Sequence, residues 1–151
     1  MDMTPTAPIS GLPDPEYQPE FYGGVLTKRA VAWAIDVALI TGFTFLVGLL
    51  TLSIGWFLWP ITFVLTGFLY RTATLSNRSA TWGMRLMGIE LRDIRGDRFD
   101  GMTATFHVLG YYASMAFLLP ALASIASMLI TDRRQSLTDL LLGTGAINRP
   151  S

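Results

Sequence analysis

Apolar positions fall into two long blocks separated by a polar segment. From Ala30 to Tyr70 the only charged residue is Asp36, and from Gly101 to Thr131 there is no Asp, Glu, Lys or Arg. A helix needs roughly 20 apolar residues to cross a bilayer core, so the first block has room for two spans and the second for one. The pattern predicts helix 1 over about 27–50, a tight turn at Thr51–Gly55 and helix 2 over about 55–71. Lys28 and Arg29 head helix 1, where long side chains can snorkel to phosphate level. Trp56 and Trp59 then fall at one interface and Tyr70 and Arg71 at the other, so the pair reads as a helical hairpin.

The second block, Met102–Ile130, is long for one span, carries Pro120 near its middle and is followed by Asp132, Arg133 and Arg134. A single kinked helix over about 103–130 would deliver the C-terminus to the far side; a broken, re-entrant hairpin would bring those arginines back. Two full spans would need about 40 residues plus a turn. The kinked single span is the preferred expectation. Between the blocks, residues 72–101 form a polar loop. Alternation in Ile89–Arg92 predicts a short strand, and Asp93–Asp97 a turn returning it as a hairpin. The expected fold is an all-α integral membrane protein. It comprises a transmembrane helical hairpin, a third kinked or re-entrant helix, and a small cytoplasmic β-hairpin-like loop.

Residues 1–24 contain five of the eight prolines, four acids and no basic residue. Such a segment cannot bury enough apolar surface to offset its entropy, and it is expected to be a disordered tail preceding a membrane domain over 25–148. It lacks the positive start of a signal peptide, so helix 1 is expected to remain in the mature chain. Arg71, Arg78, Arg85, Arg92, Arg95 and Arg98 flank helix 2 on the loop side, whereas the turn between helices 1 and 2 has no basic residue. The positive-inside rule puts the N-terminus and loop 72–101 in the cytoplasm of a multi-pass cell-membrane protein. Contact between that loop and anionic lipid is expected, and nucleic acid is not, because acids alternate with the arginines.

Composition agrees and prunes the chemistry. Of 151 residues, 51% are hydrophobic and 15% charged, with no cysteine, one histidine and zero net charge; mean hydropathy is +0.44. Thiol chemistry and a cysteine zinc site are excluded. His107 alone supports neither a His-Glu-x-x-His metal site nor an independent catalytic triad, and no GxSxG or P-loop pattern occurs. No catalytic residue, cofactor or metal ligand is expected, and the chain is read as a non-enzyme.

Asp36 is the informative exception. It lies seven residues, about 10.5 Å, beyond Arg29 on nearly the same helix face. An aspartate at a bilayer centre costs roughly 2.5–3.5 kcal/mol, so it needs a partner, a proton or a wet cavity. Arg85, Arg133 and Arg134 are candidate partners, and an ion or proton relay competes with a purely architectural carboxylate. Ala30, Ala34, Ala38 and Gly42 form a small-residue ridge expected to pack against another helix. Asp139 precedes a short apolar run ending at Gly143, a helix cap by residue type, in a segment read as an interfacial helix. His107 is expected to be an interfacial or packed histidine rather than a relay, and Gly83 and Gly88 to be turn glycines rather than a phosphate loop.

Arg29 at the head of helix 1, Asp36 within it and Asp139 before Leu140-Leu-Leu-Gly143 resemble the RDD family of membrane proteins, named for one arginine and two aspartates. Thr81-Trp-Gly83-Met-Arg-Leu-Met-Gly88 is similar to that family's Thr-x-Gly-Lys-x-x-x-Gly stretch, with Met84 in place of the usual lysine. Thr138 stands where a histidine commonly precedes the second aspartate. The resemblance covers roughly residues 21–148 and implies a bacterial inner-membrane location. It implies Arg29, Asp36 and Asp139 as signature residues; transport, including sodium/proton antiport, is attributed to some members. Two functions are therefore expected: proton or cation handling through Asp36, or an accessory subunit of a larger membrane complex with Arg29, Asp36 and Asp139 structural. Either way, self-association or a membrane protein partner is expected, since three helices enclose little.

Overall fold

The first apolar block folds as α1 (Val25–Leu50) in a computed structural model that describes residues 10–150. Its buried line is Ala32, Asp36, Ile40, Thr44 and Gly48, one residue every four. That spacing puts them on one face, as 3.6 residues per turn requires. Two left-handed residues, Leu52 and Ser53, reverse the chain into α2 (Ile54–Phe57) and α3 (Trp59–Arg78). α3 runs antiparallel to α1. Trp56, just before it, presses on Gly48, the Ile40 side chain abuts Gly67, and the Tyr70 hydroxyl reaches Asp36. The ridge Ala30, Ala34, Ala38 and Gly42 is two residues out of phase with the buried line and lies exposed, contrary to expectation. Two residues are about 200° of helix, so packing on one line turns the other outward.

α3 also extends to Arg78, past the expected end at Arg71. Hydropathy marks the apolar zone, not the point where helical hydrogen bonding stops. The helix ends at Ser79, left-handed and buried, whose hydroxyl donates to the Leu91 carbonyl at 2.5 Å and accepts from the Phe99 N–H at 2.9 Å. The polar segment then forms α4 (Trp82–Met87), capped by Thr81, and β1 (Ile89–Arg92).

The expected local hairpin does not form. The turn at Asp93–Asp97 is present, with Asp93 accepting from the N–H groups of Arg95 and Asp97 at 2.9 Å, but it leads into α5 (Gly101–Met115). β1 instead pairs antiparallel with β2 (Gly145–Asn148), in the register Ile89 to Asn148 and Arg92 to Gly145. Long-range partners of this kind leave no local signal in the sequence.

α6 (Leu118–Ile130) follows α5 after a break at Ala116 and Phe117, with a bend of 117°. Pro120 explains its place. Its ring would collide with the carbonyl four residues earlier, at Ala116, where the helix ends. The third segment, expected as one kinked helix or a re-entrant one, is a pair of helices bent at a break, with the form of a broken span or a re-entrant loop. α6 brings Ser124 to the first residue of α7 (Leu137–Leu142) and Ser127 to Gln135 just before it, and β2 returns to β1 beside the start of α1. Only α1, with the turn preceding it, is by itself long and apolar enough to cross a membrane among the described residues.

The densest core sits at this returning end, where Val25, Ala32, Leu75, Ile89, Leu91, Phe99, Ala104 and Val108 are buried together. Away from it, Phe45, Leu50, Phe57, Leu69, Phe117 and Leu119 are exposed on the helices. Residues 10–24 differ from the disordered tail expected of them. Gly11 donates to the Ile94 carbonyl at 2.6 Å, Leu12 is buried, the Tyr22 hydroxyl donates to the Pro13 carbonyl at 2.7 Å, and Pro19–Phe21 form a 3₁₀ turn. A few buried anchors and the stiffness of the prolines suffice to order it. The part of the tail before residue 10 lies outside the described residues.

Candidate functional site

Asp139 enters α7 as the third residue of a capping box. Ser136 accepts from the Asp139 N–H at 3.2 Å, and the Asp139 carboxylate accepts from the Ser136 N–H at 3.0 Å. The same carboxylate takes the Arg29 guanidinium at 2.8 Å, the Thr144 hydroxyl at 2.7 Å and His107 Nε2 at 2.8 Å. A carboxylate can only accept, so this bond places the imidazole proton on Nε2. Burial pushes the Asp139 carboxyl up, but the Arg29 charge and the His107 contact outweigh it and hold the group well below the usual carboxylate range. Asp139 thus ties α1, α5, α7 and β2 together. His107, expected to be interfacial or packed, is buried as well as bonded.

Asp36 belongs to a separate cluster. Its Oδ1 accepts from the Tyr70 hydroxyl at 2.6 Å and the Gly83 N–H at 3.0 Å, and its Oδ2 from the Thr81 hydroxyl at 2.5 Å. The partner set comes from α3 and the start of α4, and no described cation forms an ion pair with it. Gly83 permits this docking: a Cβ there would lie 2.3 Å from the Ala32 carbonyl oxygen and 2.8 Å from Asp36 Oδ1. Gly88, by contrast, is a left-handed turn glycine, as expected.

The arginines proposed as partners of Asp36 go elsewhere. Arg85 donates to the Ala80 carbonyl, Arg133 to that of Pro13 and Arg134 to that of Leu129. Asp36 is met instead by hydroxyl and backbone N–H donors that α3 and the start of α4 bring to it. In the loop, Glu90 is fully buried and paired with Arg92, with Arg98 and Arg149 at 3.7 Å. Tyr70, Thr81, His107 and Thr144 were not selected from sequence as carboxylate partners. Their only signal is a donor-bearing residue type in or beside an otherwise apolar helix. Among the described residues no group of three His, Asp or Glu side chains could hold a metal.

A cavity of about 710 Å³ adjoins both clusters, bounded by α1, α3, α5 and α6. Arg29, Asp36, Arg71 and His107 reach it, while the rest of its wall is mainly apolar. Arg71 is buried, with its guanidinium 4.4 Å from the centre of the Tyr111 ring.

No curated protein and no solved structure matches the chain. The model of the RDD family matches residues 24–143, from the turn before α1 to the cap of α7. With Arg29 on Asp139 and Asp36 at the docking point of α4, the chain belongs to the RDD family of membrane proteins.

Proposed function

We propose that this protein is a non-enzymatic accessory membrane protein in which Arg29, Asp36 and Asp139 hold the architecture. The observation that carries this reading is saturation: both aspartates are fully buried and each oxygen accepts from donors of the chain itself. A carboxylate that carries ions must exchange partners, and exchange here would orphan backbone N–H groups of α4 and α7 at a cost of roughly 1–3 kcal/mol each. The N-terminus and the α3–α5 loop are read as cytoplasmic from their arginines, and the return of β2 to β1 brings the C-terminal strand to the same side, making α5 and α6 re-entrant. The exposed small residues Ala34, Ala38 and Gly42 offer a face to a second copy or a larger membrane protein.

A proton- or cation-handling function has one observation in its favour, the contact of Asp36 and His107 with the cavity. Substitution at Asp36 separates the two. In Asp36→Asn the amide oxygen can keep the Gly83 and Tyr70 bonds while Thr81 turns to accept, so the fold is retained; Asp36→Ala removes all three bonds. The accessory reading expects liposomes with the wild-type protein to move no more protons than empty vesicles, and Asp36→Ala to lower abundance while Asp36→Asn largely restores it. Cation-dependent flux in wild type, lost in a folded Asp36→Asn, would overturn it in favour of transport. Recovery from mild detergent only as a lone monomer would also count against an accessory role.

A further inference from the structure

Arg71 is a buried cation without a carboxylate partner. It is 7% exposed, its Nε is buried without a hydrogen bond, and its Nη2 reaches only the Tyr111 hydroxyl, at 3.5 Å. No described carboxylate forms an ion pair with it, whereas Arg29 is matched with Asp139 and Glu90 with Arg92, and the buried Asp36 carboxylate is met by three hydrogen-bond donors. Asp36 borders the same cavity but is thus already occupied. An arginine does not escape such a position by losing its proton. Stacking on Tyr111 offsets only part of the desolvation. An anion in the cavity would offset the rest.

The cavity indicates what carries that anion. Its volume, about 710 Å³, lies within the roughly 300–1,000 Å³ typical of small-molecule sites. Most of its wall is apolar, with Ala30, Ala121, Ile125 and Met128 in it. Asp36 and His107 border it with their hydrogen bonds already made, small serine and threonine side chains complete it, and its one further cation, Arg29, is held by Asp139. It lies between α1 and α6, which do not pack extensively on each other. The rim residues Trp33, Ile125 and Leu129 are 45%, 49% and 54% exposed on the apolar outer surface. A small hydrated anion gains nothing from such walls, whereas an acyl chain entering sideways from the bilayer does.

We propose that this cavity binds a single-chain anionic lipid, its acidic head group on Arg71 and its acyl chain against α1 and α6. The arrangement follows the general logic of basic pockets between membrane helices, with the charge set deep and the chain toward lipid.

Trp33 on the rim provides the readout. The full chain in a neutral detergent is titrated with brominated stearate at an alkaline pH where the carboxyl is ionised, and separately with its methyl ester, which carries the same chain without the charge. Quenching of the Trp33 contribution, isolated by comparison with Trp33→Phe, is expected at roughly tenfold or more lower concentration for the acid than for the ester. Arg71→Gln is expected to abolish that preference and Arg71→Lys to retain part of it. Ala121→Phe, which fills the cavity, should remove quenching by both. Equal quenching by acid and ester in wild type, or a preference that survives in Arg71→Gln, overturns the proposal. Displacement of the acid by acetate or inorganic phosphate at matched concentration also overturns it, because the occupant would then be a free anion. Should Arg71→Gln fail to fold, the acid–ester comparison and Ala121→Phe decide the matter in the wild-type background.

Discussion

Replacing Asp139 by asparagine removes the charge of the fully buried member of an ion pair and leaves the shape of the side chain intact. Four donors meet the carboxylate, and they do not respond alike. With the amide oxygen in the Oδ2 place, the Ser136 N–H and Arg29 keep an acceptor. The amide nitrogen then faces Thr144, whose hydroxyl can accept, and His107, which can shift its proton to Nδ1. What cannot be recovered is the charge opposite Arg29. Breaking a buried ion pair on one side costs about 3–5 kcal/mol. Arg29 is 13% exposed and also donates to the Arg134 carbonyl at 3.2 Å, so the lower end applies, about 3 kcal/mol. For a chain of this size that is a loss of about 6–12 °C in Tm. Tryptophan fluorescence during heating in mild detergent measures it. The double variant Arg29→Met, Asp139→Asn should recover most of the loss, because it removes the unpaired charge while the amide oxygen still accepts from the Ser136 N–H. A Tm for Asp139→Asn within about 1 °C of wild type would refute this account of the pair.

The pH dependence of stability has a definite sign. The folded-state pKa of Asp139 lies below its unfolded value of 3.8, so its contribution is complete above that pH and is lost as pH falls below it. The acid limb of a Tm-versus-pH curve should therefore flatten in Asp139→Asn; an unchanged limb would contradict the assignment. Gly83→Ala places a Cβ against the Ala32 carbonyl and Asp36, and should cost about 1–3 kcal/mol by driving α4 off α1, seen as a lower Tm that Asp36→Ala lowers little further. Fully additive losses would show that the two residues do not share one contact. Gly11→Val sets a side chain into the Arg95 backbone, 2.0 Å from its carbonyl oxygen for the Cβ alone. Faster chymotryptic cleavage after the buried Tyr22 is expected, and cleavage at the wild-type rate would mean the segment holds without that contact.

Periodicity and charge were enough to locate α1 within two residues of its observed start, the turn after it, a strand at Ile89–Arg92 and the cap at Gly143. These are local matters, governed by the apolar run, by alternation over a few residues and by glycine's access to the left-handed region. The signature residues Arg29, Asp36 and Asp139 were legible for a related reason. A charge in an apolar run stands out whatever the fold around it.

What surrounds those charges was not legible. Which face of α1 is buried depends on where α3 and α4 lie; the sequence pointed to the small-residue ridge, and the line through Asp36 is the one that packs. The partner of β1 is more than 50 residues away, and Tyr70, Thr81 and His107 become carboxylate donors only after segments 32–45 residues apart meet. The bend before Pro120 is foreseeable as a break, but the return of α6 goes with Ser124 bonding to Leu137 at the start of α7 and Ser127 to Gln135 before it. Composition and spacing thus established a membrane chain with three charges in unusual places. Tertiary packing settled that Arg29 pairs with Asp139, that Asp36 stands apart, and that Arg71 faces a cavity, because pairing energies depend on distances between segments that the linear order of residues does not contain.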